Sequence, residues 1–269
     1  MRTIDLTEKT VFITGASSGI GRELSRYFAM EKANLIMASL PSEKEVLDQW
    51  AGELSRTFGV KARIVTEDLS SQNGPYNVYR KVTAMARPVD VLVNNAGIIS
   101  FGLFHQLSLE AQERIVAVNL RAYMVLMRLF LADMVERNQG HVFNVVSVSA
   151  FVPTPRHTVY GASKAFVQSL SEGVDEELKG TGVTVFTLNP GYTDTPLLQT
   201  EGFPGQLRFF RFAGKSNPAD IAQKGVKAFK KGKHVYIPEL HLWLLFMVLS
   251  RFAPRRIINL ISALMVRES

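Results

Sequence analysis

Short apolar runs recur along the chain at residues 10–14, 34–38, 62–65, 89–93, 141–146, 183–188 and 234–237, and helical patterns fill the stretches between them. Runs of this length predict buried strands. Their alternation with helices predicts a parallel sheet covered on both faces. The pattern gives an α/β, doubly wound domain over residues 1–238, with a seven-stranded parallel sheet and no internal repeat. One predicted helix, from Leu109 to about Arg137, is rich in Val, Leu and Met yet carries Asn119. A buried amide on such a face needs a partner. It would kink the helix and hold a water, or bond across to a neighbour.

Beyond Pro238 the alternation stops. Residues 242–249 are uninterruptedly apolar, Arg251, Arg255 and Arg256 follow, and a second apolar segment runs over 257–266. Neither run reaches the roughly 20 residues that span a bilayer. Residues 239–269 are therefore expected to form a helical, apolar and basic extension. Charge supports a separate character for this end. Residues 205–269 carry 12 Lys/Arg against 3 Asp/Glu, whereas residues 1–204 carry 19 against 21. Arg-flanked apolar helices with Trp243 suit the face of a membrane, through residues 240–267. Nucleic acid is disfavoured, because the cations frame unbroken apolar runs rather than isolated stacking aromatics. Packing in a homodimer interface or over the active site is the alternative.

The chain has 269 residues, 46% of them hydrophobic and 20% charged, as a folded globular protein has. Without cysteine it makes no disulfide or thiolate metal site, and no metal is called for. Residues 1–9 contain no apolar core of a secretory signal, so a cytoplasmic, peripherally membrane-associated protein is expected.

Candidate chemistry lies at the ends of the predicted strands. The first runs into Thr14-Gly15-Ala16-Ser17-Ser18-Gly19-Ile20-Gly21 and a helical pattern follows at once. A glycine-rich turn opening a helix is a pyrophosphate cradle: the backbone approaches the ligand, and free N–H groups with the helix dipole favour the anion. Gly15, Ser17, Ser18, Gly19, Ile20 and Gly21 are its candidate contacts. The second strand ends near Ser39 with neither the acid that would favour NAD nor an Arg that would favour NADP. Ser39, Ser42, Lys44 and, further off, Arg63 are candidate contacts for a 2′-phosphate, so NADP(H) is expected to be favoured over NAD(H). Asp68, with Leu69, would accept from an adenine amino group or cap a helix. Asn95, Ala96 and Gly97 suit a ligand-facing crevice. Finally, Ser147 closes the fifth strand, and Tyr160 and Lys164 lie four apart on one helix face. A hydroxyl, a phenol and an ammonium together can polarise a carbonyl, protonate it and tune the proton donor.

Thr14-Gly-xxx-Gly-x-Gly21, Asn94-Asn-Ala-Gly97, Asn119, Ser147, Tyr160-xxx-Lys164 and Asn189-Pro190-Gly191 stand in the order and spacing of the short-chain dehydrogenase/reductase family, which the chain resembles over about residues 8–238. The resemblance implies a Rossmann fold and NAD(P)-dependent hydride transfer between nicotinamide and a carbonyl or alcohol. It implies Tyr160 as the general acid, with its pKa lowered from about 10 by a charged Lys164. The same Lys would bond the nicotinamide ribose. Ser147 would orient the substrate carbonyl beside Tyr160, and Asn119 would anchor a water chain. Pro190, Gly191, Thr193 and Thr195 would support the nicotinamide carboxamide, Thr193 standing where the family usually has an aliphatic residue. Residues 196–217, with Phe203, Leu207, Phe209, Phe210 and Phe212 interleaved with Arg208 and Arg211, read as a substrate lid or as a surface packing against a partner subunit.

The tail, with its apolar run, Arg pair and terminal Met-Val-Arg-Glu, is similar to that of 3-ketosphinganine reductases. The leading expectation is an oxidoreductase acting on a hydrophobic substrate, such as a long-chain keto-lipid. A soluble steroid or small-ketone dehydrogenase with the tail as oligomer interface is the second. A non-catalytic cofactor-binding regulator or scaffold is the third.

Overall fold

The computed structural model describes residues 3–85, 88–200, 202–249 and 252–266. The expected Ser250, Arg251 and Arg267, and the side chains of Phe212, Val248 and Leu249, lie outside the described residues. Seven strands form one parallel sheet: β1 (Thr10–Thr14), β2 (Asn34–Ser39), β3 (Ala62–Thr66), β4 (Val91–Asn94), β5 (Gly140–Val145), β6 (Val183–Leu188) and β7 (Val235–Tyr236). Their order is β3-β2-β1-β4-β5-β6-β7. The strand order reverses between β1 and β4, and a doubly wound sheet leaves its crevice at that point, beyond the carboxyl ends of the strands.

The pleat divides each strand between two cores. Val11 and Ile13 of β1 and Val91 and Val93 of β4 face one core. There they pack with Leu24 and Phe28 of α1 (Gly19–Met30), Trp50 of α2 (Lys44–Phe58) and Phe229 of α8 (Pro218–Lys230). Phe12 and Leu92 face the other core. It holds Val78 and Val82 of α3 (Gly74–Thr83) and Phe130 and Met134 of α5 (Ala122–Glu136). Expected and observed strands agree within two residues at each end. The largest difference is at β4, where the Asp90 carboxylate takes the Thr10 N–H at 2.8 Å and pairing begins one residue later.

The long helix is continuous over Leu109–Glu136 and is built in three parts: α4 (Leu109–Val116), a π-helical segment (Ala117–Arg121), and α5. It is long and apolar enough to cross a membrane, but Tyr123, Leu126, Met127, Phe130 and Met134 are buried against the sheet, as in a core helix. Amide and hydroxyl groups inside this layer bond across the strands and to a neighbouring helix. Asn94 Nδ2 donates to Asn144 Oδ1 at 2.9 Å, and Asn144 Nδ2 donates to Ser171 Oγ of α6 (Thr158–Glu177) at 2.8 Å.

The C-terminal extension forms α9 (Leu240–Trp243), a π-helical segment (Leu244–Leu249) and α10 (Arg255–Met265). Leu242, Phe246 and Val266 are buried in a third cluster with Phe101, Val148, Leu207 and Phe209. This tail therefore packs on the lid, which includes α7 (Arg208–Ala213). Its outer side stays exposed: Ile257, Leu260, Ile261 and Leu264 recur at helical spacing along α10, and Phe252 is 84% exposed.

Candidate active site

A cleft of about 570 Å³ opens at the carboxyl ends of the strands. One wall is the turn from β1 into α1. Gly15 and Gly19 have φ of +65° and +53°, a region that side chains disfavour. At Gly21 space decides instead: a Cβ there would stand 2.2 Å from the Gly15 carbonyl oxygen and 2.3 Å from Asn95 Nδ2. Ser18 begins α1 without a side-chain cap, so the first N–H groups are left for a ligand. Asn95 braces this turn, donating through Nδ2 to the carbonyls of Thr14 (2.9 Å) and Gly15 (3.0 Å). Thr14 Oγ1 accepts in return from the N–H groups of Asn95 and Ala96. This tightly packed glycine turn, with the free N–H groups at the start of α1, fits a dinucleotide pyrophosphate. Gly15, Ser17, Ser18, Gly19, Ile20, Asn95, Ala96 and Gly97 all line the cleft.

The next wall corrects one expectation. Ser39, Asp68 and Leu69 line the cleft as expected, but Ser42, Lys44 and Arg63 are exposed and do not. Pro41–Glu43 forms a short 3₁₀ turn that points Ser42 outward and brings Glu43 to the cleft. Asp68 Oδ1 is engaged by the Ser70 N–H and hydroxyl, at 2.8 and 2.7 Å.

At the other end, Ser147, Tyr160 and Lys164 come together as their spacing predicts. Ser147 follows β5, and its Oγ accepts from the Ser149 N–H at 3.1 Å and reaches the Pro190 carbonyl at 3.5 Å. Tyr160 and Lys164 descend from α6 and are both buried. Lys164 Nζ donates to the Val145 carbonyl at 3.0 Å and to Tyr123 Oη at 3.4 Å.

The pKa directions differ from expectation. Burial pushes the Tyr160 phenol up to about 12, against a smaller opposite effect of its hydrogen bond with Ser147. Burial also pushes Lys164 down to about 7. Its Nζ lies 5.8 Å from the Tyr160 ring centre, and near neutrality much of its charge is lost. Desolvation of both groups therefore outweighs the attraction that would have lowered the phenol.

Asn119 sits in the π-helical segment and bonds across to a neighbour. Its Oδ1 accepts from the Ile98 N–H at 2.9 Å, and its Nδ2 donates to the Ile98 carbonyl at 2.8 Å. The extra residue of a π turn lets a helix interior present such a group toward a site. Pro190, Gly191, Thr193 and Thr195 line the cleft, Thr193 donating to the Gly191 carbonyl at 3.1 Å. Besides Glu43, the lining residues that sequence reasoning did not single out include Tyr192, His157 and Ser149. Tyr192 packs at 5.0 and 5.1 Å between ring centres on Phe209 and Phe210 of the lid. His157 stacks on Phe101 and is pushed down to about 4 by burial, so it is neutral. Ser149 lies beside Ser147, with 3.2 Å between the hydroxyl oxygens. An aromatic directly after Pro190-Gly191 was the available signal for Tyr192.

Comparison with known proteins agrees with this geometry. Residues 9–202 match the family model for short chain dehydrogenases. An uncharacterized oxidoreductase of Staphylococcus saprophyticus is 27% identical over 241 residues, covering 88% of this chain and 97% of its own. Among solved structures, a short-chain dehydrogenase from Sphingobium yanoikuyae in complex with NADPH superposes with a TM-score of 0.82 at 29% identity, covering 97% of both chains. The bulky-bulky ketone specific alcohol dehydrogenase from Comamonas testosteroni superposes with a TM-score of 0.76 at 28% identity, covering 97% of this chain and 95% of its own. The residues that build the cleft and the model that matches them agree, and the chain belongs to the short-chain dehydrogenase family as a nicotinamide-dependent oxidoreductase.

Proposed function

We propose that the protein reduces a bulky or long-chain hydrophobic ketone, or oxidises the corresponding alcohol, with a lipid ketone as the candidate class. The observation that carries this reading is the apolar enclosure beside the catalytic hydroxyls. Ile98, Ile99, Val148, Tyr192, Leu197 and Leu198 line it, and Val148 and Tyr192 are backed by a buried cluster that includes Phe101, Leu207, Phe209, Leu242 and Phe246. The Comamonas relative, specific for bulky-bulky ketones, supports the same substrate shape.

A dinucleotide held by the Gly15–Gly21 turn, Asn95, Ala96, Gly97 and the Pro190–Thr195 segment would supply or accept the hydride. The chain's own residues do the rest. Ser147 donates to the carbonyl oxygen and fixes it beside Tyr160, whose phenol is fully protonated at neutral pH and gives its proton to that oxygen. Lys164 holds the floor of the site through the Val145 carbonyl and Tyr123, and Tyr192 with the lid excludes water from the reacting end. The expected NADP(H) preference rested on the missing acid at Ser39. Glu43 now supplies an acid from outside that position, and the choice of dinucleotide turns on it.

Substrate class is tested with a series of methyl ketones of increasing length. Each methylene buried in the enclosure contributes about 0.8 kcal/mol, so kcat/KM should rise about three- to fourfold per methylene until the cleft is full. A profile independent of chain length would defeat the hydrophobic-substrate reading.

The exposed side of the tail supports a membrane-facing role. Ile257, Leu260, Ile261 and Leu264 form an apolar stripe, with Arg255 and Arg256 in the same helix, on the part of the chain with the basic excess. Because Leu242 and Phe246 are part of the lid cluster, truncating the tail would disturb the site. Replacing Leu260 and Ile261 with Asp leaves that cluster intact. The wild type should float with vesicles containing phosphatidylserine and the double variant should not. Equal flotation of both would remove this stripe as the contact. Loss of a dimer in the variant, with no flotation of either protein, would assign the stripe to a second copy instead.

A further inference from the structure

We propose that the Glu43 carboxylate is this enzyme's cofactor-selecting residue and that it selects NAD(H) over NADP(H). The inference rests on the cleft being the dinucleotide site, and goes beyond it by naming the group that chooses between the two ligands. Glu43 Oε2 accepts from Ser17 Oγ at 3.0 Å and from the Leu40 N–H at 3.3 Å. One donor comes from the glycine turn and the other from the end of β2, so the carboxylate bridges the two walls of the cleft. A capping role accounts for the bond to Leu40, since a Glu three residues into a helical turn commonly reaches back to the N-cap N–H. It does not account for the bond to Ser17, 26 residues away in sequence, nor for the place of Glu43 in the cleft wall.

NAD and NADP differ at one position, the adenosine ribose 2′ oxygen. A hydroxyl there can donate to a carboxylate, which is why an acid about 20 residues beyond the glycine turn marks NAD sites. A phosphate cannot donate when ionised. It would compete with Glu43 for Ser17 Oγ and the Leu40 N–H, and would meet a like charge.

Among the described residues, no cation forms an ion pair with Glu43, whose hydrogen-bond partners are Ser17 and Leu40. Among the described residues lining the cleft, the cations are Arg114 and Lys164. Lys164 is at the catalytic end, and Arg114 is drawn to Asp68. Of the other acids at this end, Glu67 is paired with Lys81 at 2.8 Å, and Asp68 is engaged by Ser70. The chain thus carries its selecting acid on the 3₁₀ turn after β2 instead of on the last residue of the strand.

The test is equilibrium binding to the full chain, read by quenching of tryptophan fluorescence, for NADH and NADPH with wild type, Glu43→Gln and Glu67→Gln. Glu43→Gln keeps side-chain size and an acceptor oxygen while removing the charge. The wild type should bind NADH at least about tenfold tighter than NADPH, and Glu43→Gln should shift the ratio toward NADPH by about tenfold or more. Glu67→Gln should leave the ratio within about twofold, its charge being already paired. A wild-type preference for NADPH, or a ratio unchanged in Glu43→Gln, overturns the assignment of Glu43 while leaving the cleft a dinucleotide site. Failure of the wild type to bind either nucleotide overturns both.

Discussion

Replacing Tyr160 with Phe should lower kcat by about 10²–10⁴-fold, the range spanned by a positioned proton donor, while leaving the dinucleotide dissociation constant and the melting temperature close to those of the wild type. The ring is held by its neighbours, with His157 at 6.2 Å between centres, and Phe keeps that packing. What disappears is the one acidic proton aimed beside Ser147. The direction of the pKa shift gives the substitution a second signature. A phenol raised to about 12 by burial stays protonated through the neutral range. Ketone reduction by the wild type should therefore not fall as pH passes from 6 to 9 through loss of this proton. Alcohol oxidation needs the phenolate and should climb with pH across the same range. Both limbs should collapse in Tyr160→Phe. Turnover within tenfold of the wild type on a ketone the enzyme uses would remove Tyr160 as the acid. Kinetics in both directions, with a melting curve for each protein, make the check.

What could be read from the chain, and what could not, divides along a physical line. The strands were legible because a buried parallel strand needs a continuous apolar run, and residues 10–14 and 183–188 end in the structure where those runs end. Tyr160 and Lys164 were legible because helical spacing alone puts them on one face. Glu43 was not. Its role depends on a 3₁₀ turn reversing the chain by three residues, which exchanges the outward and inward places of Ser42 and Glu43. The pKa of Tyr160 was read in the wrong direction for a related reason. Attraction to Lys164 can be anticipated from spacing, whereas burial of both groups is a property of the assembled lid, helix and sheet. The tail fell between these cases. Its apolar runs were plain in the sequence, but the division between Leu242, Phe246 and Val266 on the lid and Leu260 and Ile261 outside requires the packed structure.

Lys164→Met should move activity and stability in opposite directions. Lys164 is buried without a carboxylate partner among the described ion pairs, and burial has taken its pKa from 10.5 to about 7. The unfolded chain therefore binds a proton that the folded chain does not, between about pH 7 and 10.5. Stability rises with pH across that window, and below it the fold carries the whole cost of holding or losing this charge. A shift of this size corresponds to a few kcal/mol, on the order of 5 at most. Met fills a similar volume without a charge. It does not orphan the Val145 carbonyl, which keeps the Tyr123 hydroxyl at 3.2 Å. At pH 7 the variant should melt several degrees higher, at about 2–4 °C per kcal/mol for a chain of this size. It should also lose the rise in stability seen in the wild type between pH 7 and 10. The comparison belongs above pH 6.5, because His141 and His157, both pushed down to about 4, destabilise the fold independently as pH falls below that point. Turnover should fall by about 10²-fold or more, since the group that holds the floor beneath Tyr160 is gone. A variant that melts at or below the wild type at pH 7, with the alkaline rise intact, would mean that the ammonium is not the strained group. A variant more stable but inactive would show that this fold tolerates a costly buried charge at the one place where its chemistry needs it.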